Sequence, residues 1–246
     1  MKLHSDSFPD NGVIPAEFAF AQIDEKSRVR FAENKNPHLA WSEVPEGTQS
    51  FVLLCIDDSA PTDPTDVNQV DREVPADLPR ADFVHWILIN IPAHMREITA
   101  GQFSHAVTPR GKAGPVVPVK DLSETPLRHG INDYTHWFAN DHDMAGDYYG
   151  YDGPCPPWND SIVHKYTFTL YALDTAELTM PLASKLNISA VERRMEGHVL
   201  DSASWSGVYT LTPRLASALM IDGGTGGIGG AAGAAGTSGT ASASAE

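Results

Sequence analysis

The sequence lacks any run approaching the ~20 consecutive apolar residues that a helix needs to cross a bilayer, so a helical membrane protein is excluded. It holds two cysteines, Cys55 and Cys155. Two are too few for a disulfide scaffold and their spacing is not that of a zinc site, so both are expected to be free thiols. Basic residues are scarce: 17 Lys and Arg stand against 32 Asp and Glu, for a formal charge of −15. Such a field repels nucleic acid and anionic lipid surfaces, so no nucleic-acid partner is expected and an anionic ligand has to be held by local geometry. The first residues interleave Lys2, His4 and Asp6 without the apolar stretch of a secretory leader, and a cytoplasmic location is the resulting expectation. No G-x-S-x-G elbow, P-loop or H-E-x-x-H motif occurs, and no repeat of fixed period.

What is present is the balance of one globular domain: 246 residues, 41% hydrophobic and 20% charged. After Asp222 the composition turns almost entirely to Gly, Ala, Ser and Thr, with nothing large to bury. Residues 223–246 are therefore expected to form a disordered tail that adds nothing to the fold. Glu246 is the tail's only ionisable side chain, so residues 1–222 carry −14.

Within that body, residues 51–57, 82–91 and 164–173 are short, rich in β-branched and aromatic residues, and bounded by Pro, Gly or Asp. They read as strands, with weaker candidates at 27–32 and 208–212. A helix is expected from Ser189, where Glu192 completes a capping box and Val191, Met195 and Val199 recur every four residues, ending before Gly207. Separated strands with long Pro-rich connections and few helices predict a mainly β protein, an antiparallel β-sandwich with one or two peripheral helices. The stretches 62–78 and 111–149 are too long for hairpins, and loops of that length are commonly functional.

Three features draw chemistry to one place: Asp57 at a strand end, His85 inside a strand, and the run from Gly150 to Tyr166. By the period-two rule Phe83, His85, Ile87, Ile89 and Ile91 share one face, which puts His85 on an apolar surface; a satisfied core histidine is the plainer reading of it alone. His164 opens another strand, with Tyr166 and Phe168 on its face. Two strand-borne histidines and a carboxylate beside a rigid loop make a polar pocket at one rim of a sandwich. In that loop Gly150 and Gly153 allow close backbone approach, while Pro154, Pro156 and Pro157 fix φ and cannot donate. A tight surface loop would look the same; a polyproline ligand for SH3-like modules is disfavoured by the interleaved glycines, Cys155 and Trp158.

Five motifs in order, residues 36–41 (Asn-Pro-His-Leu-Ala-Trp), 57–61 (Asp-Asp-Ser-Ala-Pro), 85–86 (His-Trp), 150–157 (Gly-Tyr-Asp-Gly-Pro-Cys-Pro-Pro) and 164–166 (His-Lys-Tyr), resemble the phosphatidylethanolamine-binding proteins, in particular their bacterial Raf-kinase-inhibitor-like branch. The resemblance spans nearly the whole body. It implies an antiparallel sandwich with a small pocket for phosphate-like or phosphoethanolamine-like head groups, lined by Asp57, Pro61, His85, Tyr151, Gly153, Cys155, Pro156, His164 and Tyr166. One departure stands out. The family's acidic motif usually reads Asp-Pro-Asp-Ala-Pro, whereas Asp58 and Ser59 occupy its second and third positions here, exchanging a carboxylate for a hydroxyl.

Two physical roles are open for Asp57. It supports an imidazolium that donates to a phosphate, or it meets an ammonium on a zwitterionic head group. The pocket so implied contains no Arg or Lys, which leaves imidazolium and backbone N–H groups to attract an anion and makes protonated His164 the expected anchor, with affinity falling above the imidazole range near ~6.5, or somewhat higher where Asp57 supports the charge. The expected function is small-ligand binding without a chemical step and without a cofactor. The alternatives are a hydrolase or metal-dependent enzyme using Asp57, His85 and His164, or a surface that inhibits a kinase or other enzyme. A protein target and a homodimer stay open at this level.

Overall fold

A computed structural model describes residues 1–117, 127–181 and 185–225. Its strands are β1 (Lys2–His4), β2 (Gly12–Val13), β3 (Ala21–Asp24), β4 (Arg28–Phe31), β5 (Leu39–Ser42), β6 (Ser50–Pro61), β7 (Arg80–Pro92), β8 (Glu97–Ile98), β9 (Arg128–His129), β10 (His164–Leu173) and β11 (Val199–Tyr209). Its helices are α1 (Tyr134–Trp137), α2 (Ile188–Met195) and α3 (Pro213–Thr225). Six strands form the main sheet in the order β2-β11-β10-β6-β7-β9, antiparallel throughout except for the short parallel pairing of β2 with β11. A three-stranded sheet, β1-β5-β8, covers one face, and β3 pairs with β4 as a hairpin.

Alternation along β6 explains the layering. Phe51, Leu53 and Cys55 enter the core shared with Leu3, Leu39 and Trp41 of the smaller sheet, where the Trp41 and Phe51 rings meet edge to face at 5.5 Å. Val52 and Leu54 face the other way, onto Val191 and Met195 of α2. A strand buried on both faces reads as a continuous apolar run, which is how residues 51–57 stand out in the sequence. Asp57 comes two residues after Cys55 and inherits its face.

Four local readings are corrected. Helix α2 stops at Met195 rather than continuing toward Gly207, because Gly197 adopts φ +80°, a left-handed stop, and residues 199–209 pair with β10 instead. Its cap is Asn187, whose Oδ1 accepts the Ala190 N–H at 3.0 Å, not Ser189. In β7 the single-face reading fails: Ile87 and Ile89 pack on the α2 side, whereas Trp86 and Leu88 join the opposite core. The register jumps from Cys55↔Trp86 to Ile56↔Val84, so His85 is the extra residue of a β-bulge, and a bulge switches the faces of the residues beyond it. The sequence boundary at Asp222 falls inside α3, which runs to Thr225; residues 226–246 of the expected tail lie outside the described residues. No helix among the described residues is long and apolar enough to cross a membrane.

Candidate functional site

Where β7, β6 and β10 run side by side, Phe83, Asp57 and Tyr166 are consecutive cross-strand neighbours. All three line one cavity of about 140 Å³. Cavities of ~150 Å³ hold a molecule about the size of one six-membered ring, so the space suits a single small head group. The loop after Tyr149 supplies Cys155, Pro156 and Pro157 as one wall, the 62–78 excursion supplies Val67 and Asn68, and α1 supplies Tyr134 and Trp137.

A second bulge shapes the Asp57 end. Asp57↔Phe83 is succeeded by Ala60↔Ala81, so Asp58 and Ser59 bow out of β6, and Asp57 Oδ1 holds the bow by accepting the Ser59 N–H at 2.8 Å. Ser59 Oγ donates to Asp58 Oδ1 and accepts from the Lys165 N–H, so this hydroxyl serves the bulge and not the cavity. The second carboxylate beside His164 comes from elsewhere in the chain. His164 Nδ1 lies 2.7 Å from Asp57 Oδ2, and its Nε2 lies 3.0 Å from Asp160 Oδ2. Asp160 in turn receives both terminal nitrogens of Arg80, at 2.7 and 3.0 Å. A four-member chain of alternating charge, Asp57, His164, Asp160 and Arg80, thus starts on the cavity wall at Asp57 and His164 and continues behind it to Asp160 and Arg80.

Burial alone would lower the His164 pKa, but hydrogen bonds to Asp160 and Asp57 raise it to about 9. Burial likewise opposes charge on Asp160, yet its bonds from His164 and Arg80 hold its carboxyl below the usual range. His164 is therefore an imidazolium near neutrality with both N–H groups already spent on carboxylates. The expectation that it anchors an anion is corrected on that ground: it has no donor left to give. The same geometry removes it as a metal ligand alongside Asp57 and His85, since both nitrogens are engaged, and no group of three or more ligating side chains in metal-binding reach occurs among the described residues.

His85 is the opposite case. Its Nδ1 lies 2.7 Å from the Asp152 carbonyl oxygen, and its ring is enclosed by Phe83, Tyr134 and Tyr166 at centroid distances of 5.0, 5.5 and 5.1 Å. Burial lowers its pKa, against the pull of Asp57 and Asp152. Asp152 is buried and braced by Asn34, Lys112 and Asn132, so the carbonyl that fixes the ring cannot wander. Tyr166 is 1% exposed, and its hydroxyl has no hydrogen-bond partner among the described residues.

Seven of the nine residues implied by the resemblance, Asp57, Pro61, His85, Cys155, Pro156, His164 and Tyr166, line the cavity. Tyr151 and Gly153 do not. The Tyr151 hydroxyl reaches the Phe18 carbonyl, and Gly153 packs on the backbone of Phe18 and Ala19, where a Cβ would come within 2.1 Å of the Phe18 oxygen. Both secure the loop from behind. Reasoning from sequence missed Asp160, Arg80 and Tyr134. Asp160 was discoverable as a carboxylate four residues before His164 in a run already singled out; Tyr134 sits in the 111–149 excursion with no local signal of its own.

The family model for phosphatidylethanolamine-binding protein matches residues 4–210. A UPF0098 protein of Methanothermobacter thermautotrophicus is 30% identical over 209 residues, covering 85% of this chain and 98% of the relative. A UPF0098 protein of Aquifex aeolicus is 29% identical over 210 residues, covering 82% and 92%. Among solved structures, that of Escherichia coli YbcL, described as a new member of the mammalian PEBP family, matches with a TM-score of 0.56 and 24% identity over 85% of this chain and 97% of its own.

Proposed function

This chain belongs to the phosphatidylethanolamine-binding protein family, and from that membership and the make-up of its cavity we propose that it binds a phosphate-type head group, such as phosphate or phosphoethanolamine, without transforming it. The observation that carries the reading is the cavity itself, whose lining brings together Asp57, His85, His164 and Tyr166, the Tyr166 hydroxyl being buried with no partner among the described residues. Leaving a buried hydroxyl unpaired costs roughly 1–3 kcal/mol, a cost that a ligand oxygen removes. His85 beside it offers a second contact. Binding is favoured over turnover because His164 has no nitrogen free to shuttle a proton and burial pushes the Cys155 thiol up to about 12, leaving no activated nucleophile on the wall.

Tyr166→Phe separates the two roles the hydroxyl can have. In the ligand-free protein the variant is expected to be more stable by roughly 1 kcal/mol, since an unsatisfied polar atom is removed without loss of volume. Its affinity for phosphoethanolamine, read by calorimetric titration, is expected to fall by roughly tenfold, the loss of one hydrogen bond. Unchanged affinity would sink the reading.

A further inference from the structure

The cavity is richer in acceptors than in available cations. His164 is held between Asp57 and Asp160, and Arg80 spends its terminal nitrogens on Asp160 and on the carbonyls of Ser59 and Pro75. Among the buried lining side chains, hydrogen-bonding capacity is left at His85 Nε2, on the remaining lone pairs of the Asp57 carboxylate and at the Tyr166 hydroxyl. The tautomer of His85 is set by its neighbour. A carbonyl oxygen only accepts, so with Nδ1 at 2.7 Å from the Asp152 oxygen the proton sits on Nδ1 and Nε2 of the neutral ring presents a lone pair.

Resting on the binding reading above, we infer that the cavity admits its phosphate-type ligand in a form that still carries a P–O–H group, which donates to His85 Nε2 while the Tyr166 hydroxyl donates to another ligand oxygen. One donor and several acceptors on the ligand then meet acceptors and a donor on the wall. An anion with no proton to give sets its lone pairs against those of His85 Nε2 and Asp57.

The surroundings of His85 keep its ring in the accepting state. Asp57 from β6, Asp152 from the loop and Asp133 before α1 favour a charged ring, and the His164 imidazolium from β10 lies in the same cavity. The other faces meet Phe83, Tyr134 and Tyr166, and Cys155 lines the same wall. Burial outweighs the three carboxylates and leaves the pKa below the ordinary value. A ligand proton therefore stays on the ligand.

The chemistry separates common oxyanions. Sulfate carries no proton near neutrality, inorganic phosphate keeps one, and a phosphate monoester loses its last with a pKa of about 6. Calorimetric titration of the full chain with inorganic phosphate, phosphoethanolamine and sulfate at about pH 6 and about pH 8 reads the difference directly. Inorganic phosphate is expected to bind within about threefold at the two pH values, and phosphoethanolamine to weaken by roughly 50-fold, in step with its singly protonated fraction. Sulfate is expected to bind at least ~10-fold more weakly than phosphate at both, the scale of one missing charge-assisted hydrogen bond. In His85→Asn, whose amide can still donate to the Asp152 carbonyl, the preference for phosphate over sulfate is expected to vanish. Sulfate and phosphate binding equally well, and both more tightly at the lower pH, would overturn the inference by showing that the ring itself takes up the proton, while leaving the binding reading intact. Absence of binding by both phosphate probes at both pH values would remove the binding reading and this inference with it. Should His85→Asn fail to fold, the comparison of sulfate with phosphate on the unaltered protein decides the matter alone.

Discussion

Replacing His164 with alanine is expected to destabilise the protein by roughly 3–5 kcal/mol, because it leaves two buried carboxylates without the cation between them. Asp57 and Asp160 bind opposite nitrogens of that ring at 2.7 and 3.0 Å, and the His164 side chain is 1% exposed. In a domain of this size the loss corresponds to roughly 10 °C in Tm. The effect carries a pH signature with a definite sign. The folded-state pKa of His164 is raised from 6.5 to about 9, so its contribution is fully present below 6.5 and is lost as pH rises through about 9. The parent protein should accordingly lose stability on the order of 3 kcal/mol across that window, at about 1.4 kcal/mol per unit of pKa shift, and the variant should not show that fall. Denaturant unfolding of both proteins at a series of pH values checks this; a variant as stable as the parent near pH 6.5 would contradict the doubly paired imidazolium.

Gly153→Ala is expected to cost on the order of 3 kcal/mol or more, at the upper end of overpacking, because the obstacle is main chain. The new Cβ would sit 2.1 Å from the Phe18 oxygen and 2.9 Å from the Ala19 Cα. The neighbouring bonds leave no room to slide: the Gly153 N–H donates to Asn34 Oδ1, its carbonyl accepts from the Tyr134 hydroxyl, and the Pro154 carbonyl accepts the N–H groups of Phe20 and Ala21. Any shift that relieves the clash moves Cys155 and Pro156 with it, so phosphoethanolamine affinity should fall along with Tm. A variant melting within about 2 °C of the parent would show that the loop is not seated as described.

The parts of this fold that are legible in the sequence are those where local pattern and tertiary environment agree. The strands at residues 51–57, 82–91 and 164–173 fall inside β6, β7 and β10: the first two are buried on both faces over most of their length and read as apolar runs, the third alternates a buried face with a more exposed one, and all three are punctuated at their ends. Residues 189–199 mislead because a four-residue recurrence of Val191, Met195 and Val199 looks helical as far as Val199, whereas Gly197 ends the helix and Val199 opens β11. The faces of β7 are illegible for a different reason. A bulge is set by the register of two strands, and one chain's alternation does not record where its partner slips. The motifs identify seven cavity residues, yet the expected role of His164 is reversed because the fold sets the sequence-distant Asp57 on one nitrogen of its ring while Asp160, four residues before it, takes the other.

The most direct test of this binding mode is a crystal structure of the protein soaked with phosphoethanolamine at about pH 6, where its singly protonated form is well populated. Phosphate density is expected inside the cavity, with one oxygen within hydrogen-bond distance of the Tyr166 hydroxyl, another at His85 Nε2, and His164 still bonded to Asp57 and Asp160. Phosphate density held instead by the His164 ring, with its bond to Asp57 or Asp160 broken, would contradict it.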